Sequence, residues 1–338
     1  MRRSARPLRL AVLAGLLALG ACAVPRFAAP DGARPVTLAS LDYRFVDAPL
    51  ARRAAPARDV GASYLPPDPA RAGPPPWPAV VLLHASTGQG SQDWHYAAAF
   101  REMGLAVLAV DSFTARGVRS THRDHTAVSE TAMLADAYAA LAHLRADPDI
   151  DGARVALVGF SKGGIAALYG ADRRLADALA ADSGRFAAHV AYYPWCGLRL
   201  IAPRPTGAPI LIHSGGRDRI APAALCAETA DAMRAEDPET VILQRVYPEA
   251  GHAFDHPLVH IFDTLPVRYA LPVHCRFDEI APGRFVERHS GRAVTGPTVK
   301  AVLDACSAAG GEVIADRAAA ARAEADTAAF LRRHLGLR

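Results

Sequence analysis

A serine set between glycines at fixed spacing can serve as a nucleophile, and residues 159 to 163, Gly-Phe-Ser-Lys-Gly, have that spacing. An apolar, β-branched run from residue 154 ends there and an Ala/Leu-rich segment follows, which predicts a strand, a tight turn and a helix. Such a turn needs residues without a Cβ where neighbouring backbones close in, and Gly159 and Gly163 stand two positions either side of Ser161. The turn would lift the Ser161 hydroxyl above a sheet edge and aim the next helix N-terminus at it. A serine of this kind needs a base, and the base needs a carboxylate. Asp218 follows the apolar segment APILIHSGG and Arg217, and His252 follows VILQRVYPEAG, so both stand just beyond predicted strands. In that arrangement His252 takes the proton from Ser161 and returns it to the leaving group, while Asp218 orients the imidazole and stabilises its cationic form. Backbone N–H groups of Ser86, in the loop after AVVLLHA, and of Lys162 are the expected oxyanion donors. The Lys162 side chain is expected to be a solvated helix start, too close in sequence to Ser161 to act as its base. A phosphate-binding loop is excluded, because Lys162 precedes the glycines instead of following them.

Two other chemistries fit parts of the sequence. His252, His256 and His260 recur every four residues with Asp255 and Asp263 nearby, a spacing that would align metal ligands on one helical face. Pro257 interrupts that helix, and the serine constellation accounts for His252 without a metal, so neither metal nor cofactor is expected. A non-catalytic, lipid-anchored binding protein on the same fold is the other alternative, and the presence of all three catalytic residue types argues against it.

The elements that must position these residues can be read from periodicity. Strands are predicted at 36 to 46, 57 to 65, 79 to 85, 105 to 111, 154 to 160, 188 to 194, 208 to 213 and 240 to 247, and helices at 92 to 103, 126 to 146, 162 to 181, 222 to 236 and 315 to 335. From residue 79 onward strand and helix alternate, which predicts an α/β fold with a mainly parallel, doubly wound sheet, an antiparallel start and flanking helices. Functional groups then gather beyond the carboxyl ends of the strands. The region 257 to 315 is long for a connection and is expected to be an excursion, either a lid or pocket wall near the active site or a surface feature. Trp94, Phe113, Tyr193 and Trp195 lie at or past strand ends as candidate liners of an acyl pocket.

The chain has 338 residues, 51% of them hydrophobic and 21% charged, which fits a folded α/β protein with one large core. A net charge of +4 without long basic runs past the N-terminus excludes an electrostatic footprint for nucleic acid and points to a small-molecule partner. Arg2, Arg3, Arg6 and Arg9 precede an apolar stretch from Leu10 to Leu19, too short to span a bilayer, so residues 1 to 21 read as a targeting segment. Leu19-Gly20-Ala21-Cys22 resembles the bacterial lipobox, in which the cysteine is acylated and becomes the new N-terminus. Cys22 would then begin a tether over 22 to 35 and anchor the protein in a bacterial envelope, with the outer membrane favoured because Ala23 is not Asp. Four cysteines remain, an even count in an exported protein. Cys196 ends one strand and Cys226 begins the helix after the next, so they are expected to pair, leaving Cys275 with Cys306.

With these residues in place, the chain resembles the dienelactone hydrolase family of α/β hydrolases over roughly 57 to 260 and again at 316 to 335. The segments VVLLHAS, VDSFTARG, GFSKGG and YPEAGHAFD carry the likeness, with the Gly-Arg-Asp loop between the last two. The resemblance implies a cofactor-free hydrolase of esters or lactones. Family members of the founding type carry a cysteine nucleophile, a glutamate after the strand-end histidine and two arginines that grip a substrate carboxylate. Here those positions hold Ser161, Ala85, His256 for the arginine four residues after His252, and Arg116 near the second arginine. The departures favour a serine-dependent carboxylesterase. Neutral short-chain esters are expected to outperform carboxylated ones at neutral pH, with anions accepted only when His256 is protonated near pH 6.

Overall fold

A computed structural model of the chain describes residues 28–180, 184–261 and 263–337. The expected targeting segment and Cys22 lie outside the described residues. The strands of the main sheet are β1 (Arg34–Leu41), β2 (Ala57–Leu65), β3 (Trp77–Leu83), β4 (Ala106–Asp111), β5 (Ile150–Phe160), β6 (Ala188–Tyr192), β8 (Ile210–Gly215) and β9 (Ile242–Tyr247). The short β7 (Leu198–Arg199) belongs to a second sheet. Helices are α1 (Asp47–Leu50), α2 (Ser91–Glu102), α3 (Glu130–Ala146), α4 (Lys162–Tyr169), α5 (Arg173–Leu179), α6 (Ala223–Glu236), α7 (Val299–Cys306) and α8 (Arg317–Leu335).

Strand order across the main sheet is β1-β2-β4-β3-β5-β6-β8-β9. The first three neighbours pair antiparallel, and every pairing from β4 onward is parallel. This is the mainly parallel α/β sheet with an antiparallel start that the alternation of strands and helices predicts. The strands read as unbroken apolar runs because helices cover both faces. In β3, Val81 and Leu83 pack on the α3 and α4 side with Leu141 and Ala166, while Val80 and Leu82 face Phe100 of α2 and Leu331 of α8. The period-two alternation of a strand thus feeds two cores, one on each face.

Differences from the predicted elements have local causes. The helix expected over 162 to 181 is two helices, because Asp172 caps α5 by accepting the N–H groups of Arg174 and Leu175. The helix expected from 126 starts at Glu130, where the Ser129 hydroxyl accepts the Ala132 N–H. The region 257 to 315 carries its own structure: β10 (Thr264–Leu271), β11 (Phe277–Ala281), β12 (Arg284–Glu287), β13 (Ala293–Val294), α7 and β14 (Ala308–Ile314). β10 pairs with β14, and β13, β12 and β11 join β7 in a four-stranded sheet. Disulfides link Cys196 to Cys226 and Cys275 to Cys306, spanning 30 and 31 residues. Both are the predicted pairs. Among the described residues no helix is long and apolar enough to cross a membrane.

Candidate active site

β5 delivers Ser161 into the turn before α4 with φ 49° and ψ −107°, a left-handed conformation that a residue with a Cβ adopts only under strain. The surroundings enforce it. A Cβ on Gly159 would come within 2.1 Å of the Gly163 carbonyl oxygen, and one on Gly163 within 2.5 Å of the Leu83 oxygen. The Ser161 N–H donates to the Tyr192 carbonyl of β6 and its own carbonyl accepts the Ile165 N–H, so sheet and helix both hold the turn.

Ser161 Oγ lies 2.9 Å from His252 Nε2, and His252 Nδ1 lies 2.8 Å from Asp218 Oδ2. With the Nδ1 proton donated to the carboxylate, Nε2 is left to accept the serine hydroxyl. The other oxygen of Asp218 accepts the N–H groups of Ile220 and Ala221, each at 2.8 Å. The Asp218 side chain is fully buried, and that of His252 is 10% exposed. The His252 loop is tied to the excursion: Gly251 N–H donates to the Ile314 carbonyl, and the His252 backbone bridges Val313 of β14. The N–H of Lys162 opens α4 and has no acceptor within the helix, and Ser86 lines the same cavity. An oxygen between those two groups would meet donors at a helix N-terminus, where negative charge is favoured.

A family model described as the dienelactone hydrolase family matches residues 67–263. The chain belongs to the dienelactone hydrolase family. Its strands and helices have the arrangement of the α/β-hydrolase fold. An uncharacterized protein of Mycobacterium tuberculosis, found in two strains, is 32% identical over 187 residues, 52% of this chain and 63% of the relative. The chain thus spans under two thirds of that relative's length. A crystal structure of a dienelactone hydrolase-like promiscuous phosphotriesterase from metagenomic libraries is 18% identical. It covers 89% of this chain and 98% of its own, with a TM-score of 0.50, a likeness of fold.

The two carboxylate-gripping candidates fare differently. Arg116 is 4% exposed, and its guanidinium donates to Asp42, to both oxygens of Asp136 and to the Ser112 carbonyl. Every edge of the fork is engaged by the fold, so Arg116 is corrected from substrate ligand to structural ion pair. His256 lines the cavity beside Ser161 as expected, and burial pushes its imidazole below the ordinary value. Lys162 also differs. Its ammonium is buried, donating to Glu130 and to the His125 carbonyl instead of to solvent.

Asp255 is buried behind the His252 loop, where it accepts hydrogen bonds from the hydroxyls of Tyr96 and Tyr193 and from the Gln92 amide. His256 Nδ1 accepts the Leu258 N–H, and His260 Nε2 donates to the Phe254 carbonyl. Among the described residues no group of three or more His, Cys, Asp or Glu side chains is placed to hold a metal. Sequence reading missed this role of Asp255 and of Tyr193, whose ring stands edge-on to the His252 imidazole at 5.0 Å. Tyr193 and Trp195 line the cavity as expected. Phe113 packs against His84, and Trp94 joins the core on the α2 side.

The cavity at Ser161 has a volume of about 420 Å³. Its walls are largely apolar, and residues from the excursion, among them Leu265, Val267, Tyr269 and Phe277, form a substantial part of them. The region 257 to 315 is therefore a pocket wall.

Proposed function

We propose that this hydrolase is a serine carboxylesterase that cleaves neutral esters or lactones through an acyl-enzyme on Ser161. As Ser161 Oγ bonds to the substrate carbonyl carbon, its proton passes to His252 Nε2, and the carbonyl oxygen becomes an oxyanion received by the N–H groups of Ser86 and Lys162. Collapse expels the alcohol, which takes the proton back from His252. Water, activated by the same imidazole, then attacks the acyl-enzyme and releases the acid. Asp218, held by two backbone N–H groups, orients His252 and stabilises its cation. Losing one oxyanion donor typically costs about 3 kcal/mol of barrier.

The observation that carries this reading is the unbroken hydrogen-bonded line from Ser161 Oγ through His252 to Asp218. Preference for neutral substrates is inferred from the internal pairing of Arg116 and from the burial that lowers His256. Ser161→Ala, His252→Ala and Asp218→Asn are each expected to lower kcat on a p-nitrophenyl ester by roughly 10³-fold or more, with Asp218→Asn the mildest and Tm unchanged. A fluorophosphonate probe should label wild type and not Ser161→Ala. Undiminished turnover by Ser161→Ala would refute the mechanism.

The cellular setting proposed is a bacterial envelope membrane, with the chain acylated at Cys22 after removal of residues 1 to 21. More than one acyl chain gives stable anchoring where a single one does not. Mass spectrometry of the mature protein should find a lipidated Cys22 at the N-terminus, and an unmodified terminus beyond that residue would exclude the anchor.

A further inference from the structure

The cavity has a direction that the catalytic line does not explain. Lys162, Ile165, Ala166 and Tyr169 all line it. Their spacing marks one face of α4, so the cavity follows that helix for two turns, about 10 Å, away from Ser161. Leu175 of α5, Leu198 of β7 and Phe277 of β11 line it as well, with Trp195 set edge-on against Phe277. Charge is nearly absent from this passage. Lys162 and Glu130 neutralise each other, and Arg44, the remaining Lys, Arg, Asp or Glu among the liners, is solvent-exposed.

The chemistry decides which part of an ester enters it. The departing alcohol must receive a proton from His252, so the alcohol lies on the histidine side, near Ala253, His256, Val259 and Val313. The acyl group extends the opposite way, along α4.

We propose that this passage is an acyl channel and that the enzyme's substrates are esters of medium-length, unbranched, uncharged fatty acids. The inference rests on the serine mechanism above. Each methylene that moves from water into the channel strengthens transition-state binding by up to about fourfold until the channel is full. The cavity's volume, about 420 Å³ in all, sets the limit, so long chains fall off again.

The test compares kcat/KM for p-nitrophenyl acetate, butyrate, octanoate and palmitate, each below its solubility limit, with fluorophosphonate labelling of every protein used. Wild type is expected to favour octanoate over acetate by at least roughly tenfold and to discriminate against palmitate. Ala166→Met, which narrows the channel one turn past the nucleophile, should lower the octanoate-to-acetate ratio by about tenfold or more. Ala166 is fully buried, so Ile165→Trp, at a half-buried position on the same face, provides a second narrowing variant with the same expected change. A labelled wild type that prefers acetate, or two labelled variants with the wild-type ratio, would overturn the channel and leave the serine mechanism standing. An unlabelled wild type would overturn both.

Discussion

Arg116 shows how a side chain with an expected chemical task can be occupied entirely by the fold. Its guanidinium bridges Asp42 near the end of β1 and Asp136 in α3, and Asp136 is fully buried and also accepts the Ser40 hydroxyl. Removing the arginine strands that carboxylate without a cation. Arg116→Ala is therefore expected to lower unfolding free energy by about 3–5 kcal/mol in urea denaturation. The ratio of kcat/KM for matched neutral and carboxylated esters should not change. A shifted ratio at wild-type stability would return Arg116 to the substrate. The catalytic candidates were legible in the sequence because each stands directly after a strand, in a segment whose glycines or turn residues mark a backbone reversal. Arg116 and Asp255 were not legible in the same way. Asp42 is 74 residues from Arg116, and the partners of Asp255 lie 62, 159 and 163 residues away, so no local pattern could announce either set of bonds.

Among the elements, the excursion matters most to the cavity, since β10, β11 and α7 all contribute to its wall. Cys275, just before β11, is bound to Cys306 at the end of α7, whose Val299 and Leu303 face the cavity. Closing a loop of this length removes unfolded-state freedom equivalent to about 3 to 4 kcal/mol in chain-entropy models. The double variant Cys275→Ser/Cys306→Ser is expected to unfold at lower urea concentration and to raise KM for an octanoyl ester more than for an acetyl ester. Equal changes in both KM values would separate α7 from substrate binding. The main sheet was legible because its strands are long, apolar on both faces and alternate with helical patterns. The excursion was not. β7 and β13 have two residues each, too few to show a period, and β10 contains Pro266 and a shift of register against β14. Such strands are defined by the partners they meet in the fold.

Taken as a whole, the molecule has histidines within its core that tie stability to pH. His84 follows β3, His189 lies in β6 and His213 in β8, and all three are fully buried. Burial lowers His189 to about 4 and His213 to about 3, and pushes His84 down as well. His213 joins three elements, bonding the Tyr247 hydroxyl at the end of β9 and the Thr327 hydroxyl of α8. Between the ordinary imidazole value near 6.5 and these lower ones, the unfolded chain binds protons that the native chain does not. The stabilisation is complete above about pH 6.5 and is lost as pH falls through the folded values, with a slope of up to about 1.4 kcal/mol per pH unit for each group. Two buried carboxyls act in the opposite sense. Burial raises Asp172 to about 6 and Asp93 to about 7, so the native state holds their protons more tightly and gains stability on acidification over part of the same range. The overall curve therefore mixes both signs, and a single-site comparison isolates the histidine contribution. His213→Gln keeps a donor and an acceptor but cannot titrate. Its destabilisation relative to wild type should be about 2.5 kcal/mol smaller at pH 4.5 than at pH 7.5, because acid penalises only the wild-type histidine. Urea denaturation of both proteins at the two pH values measures this difference, and a destabilisation independent of pH would mean that His213 carries its proton equally in the folded and unfolded chains.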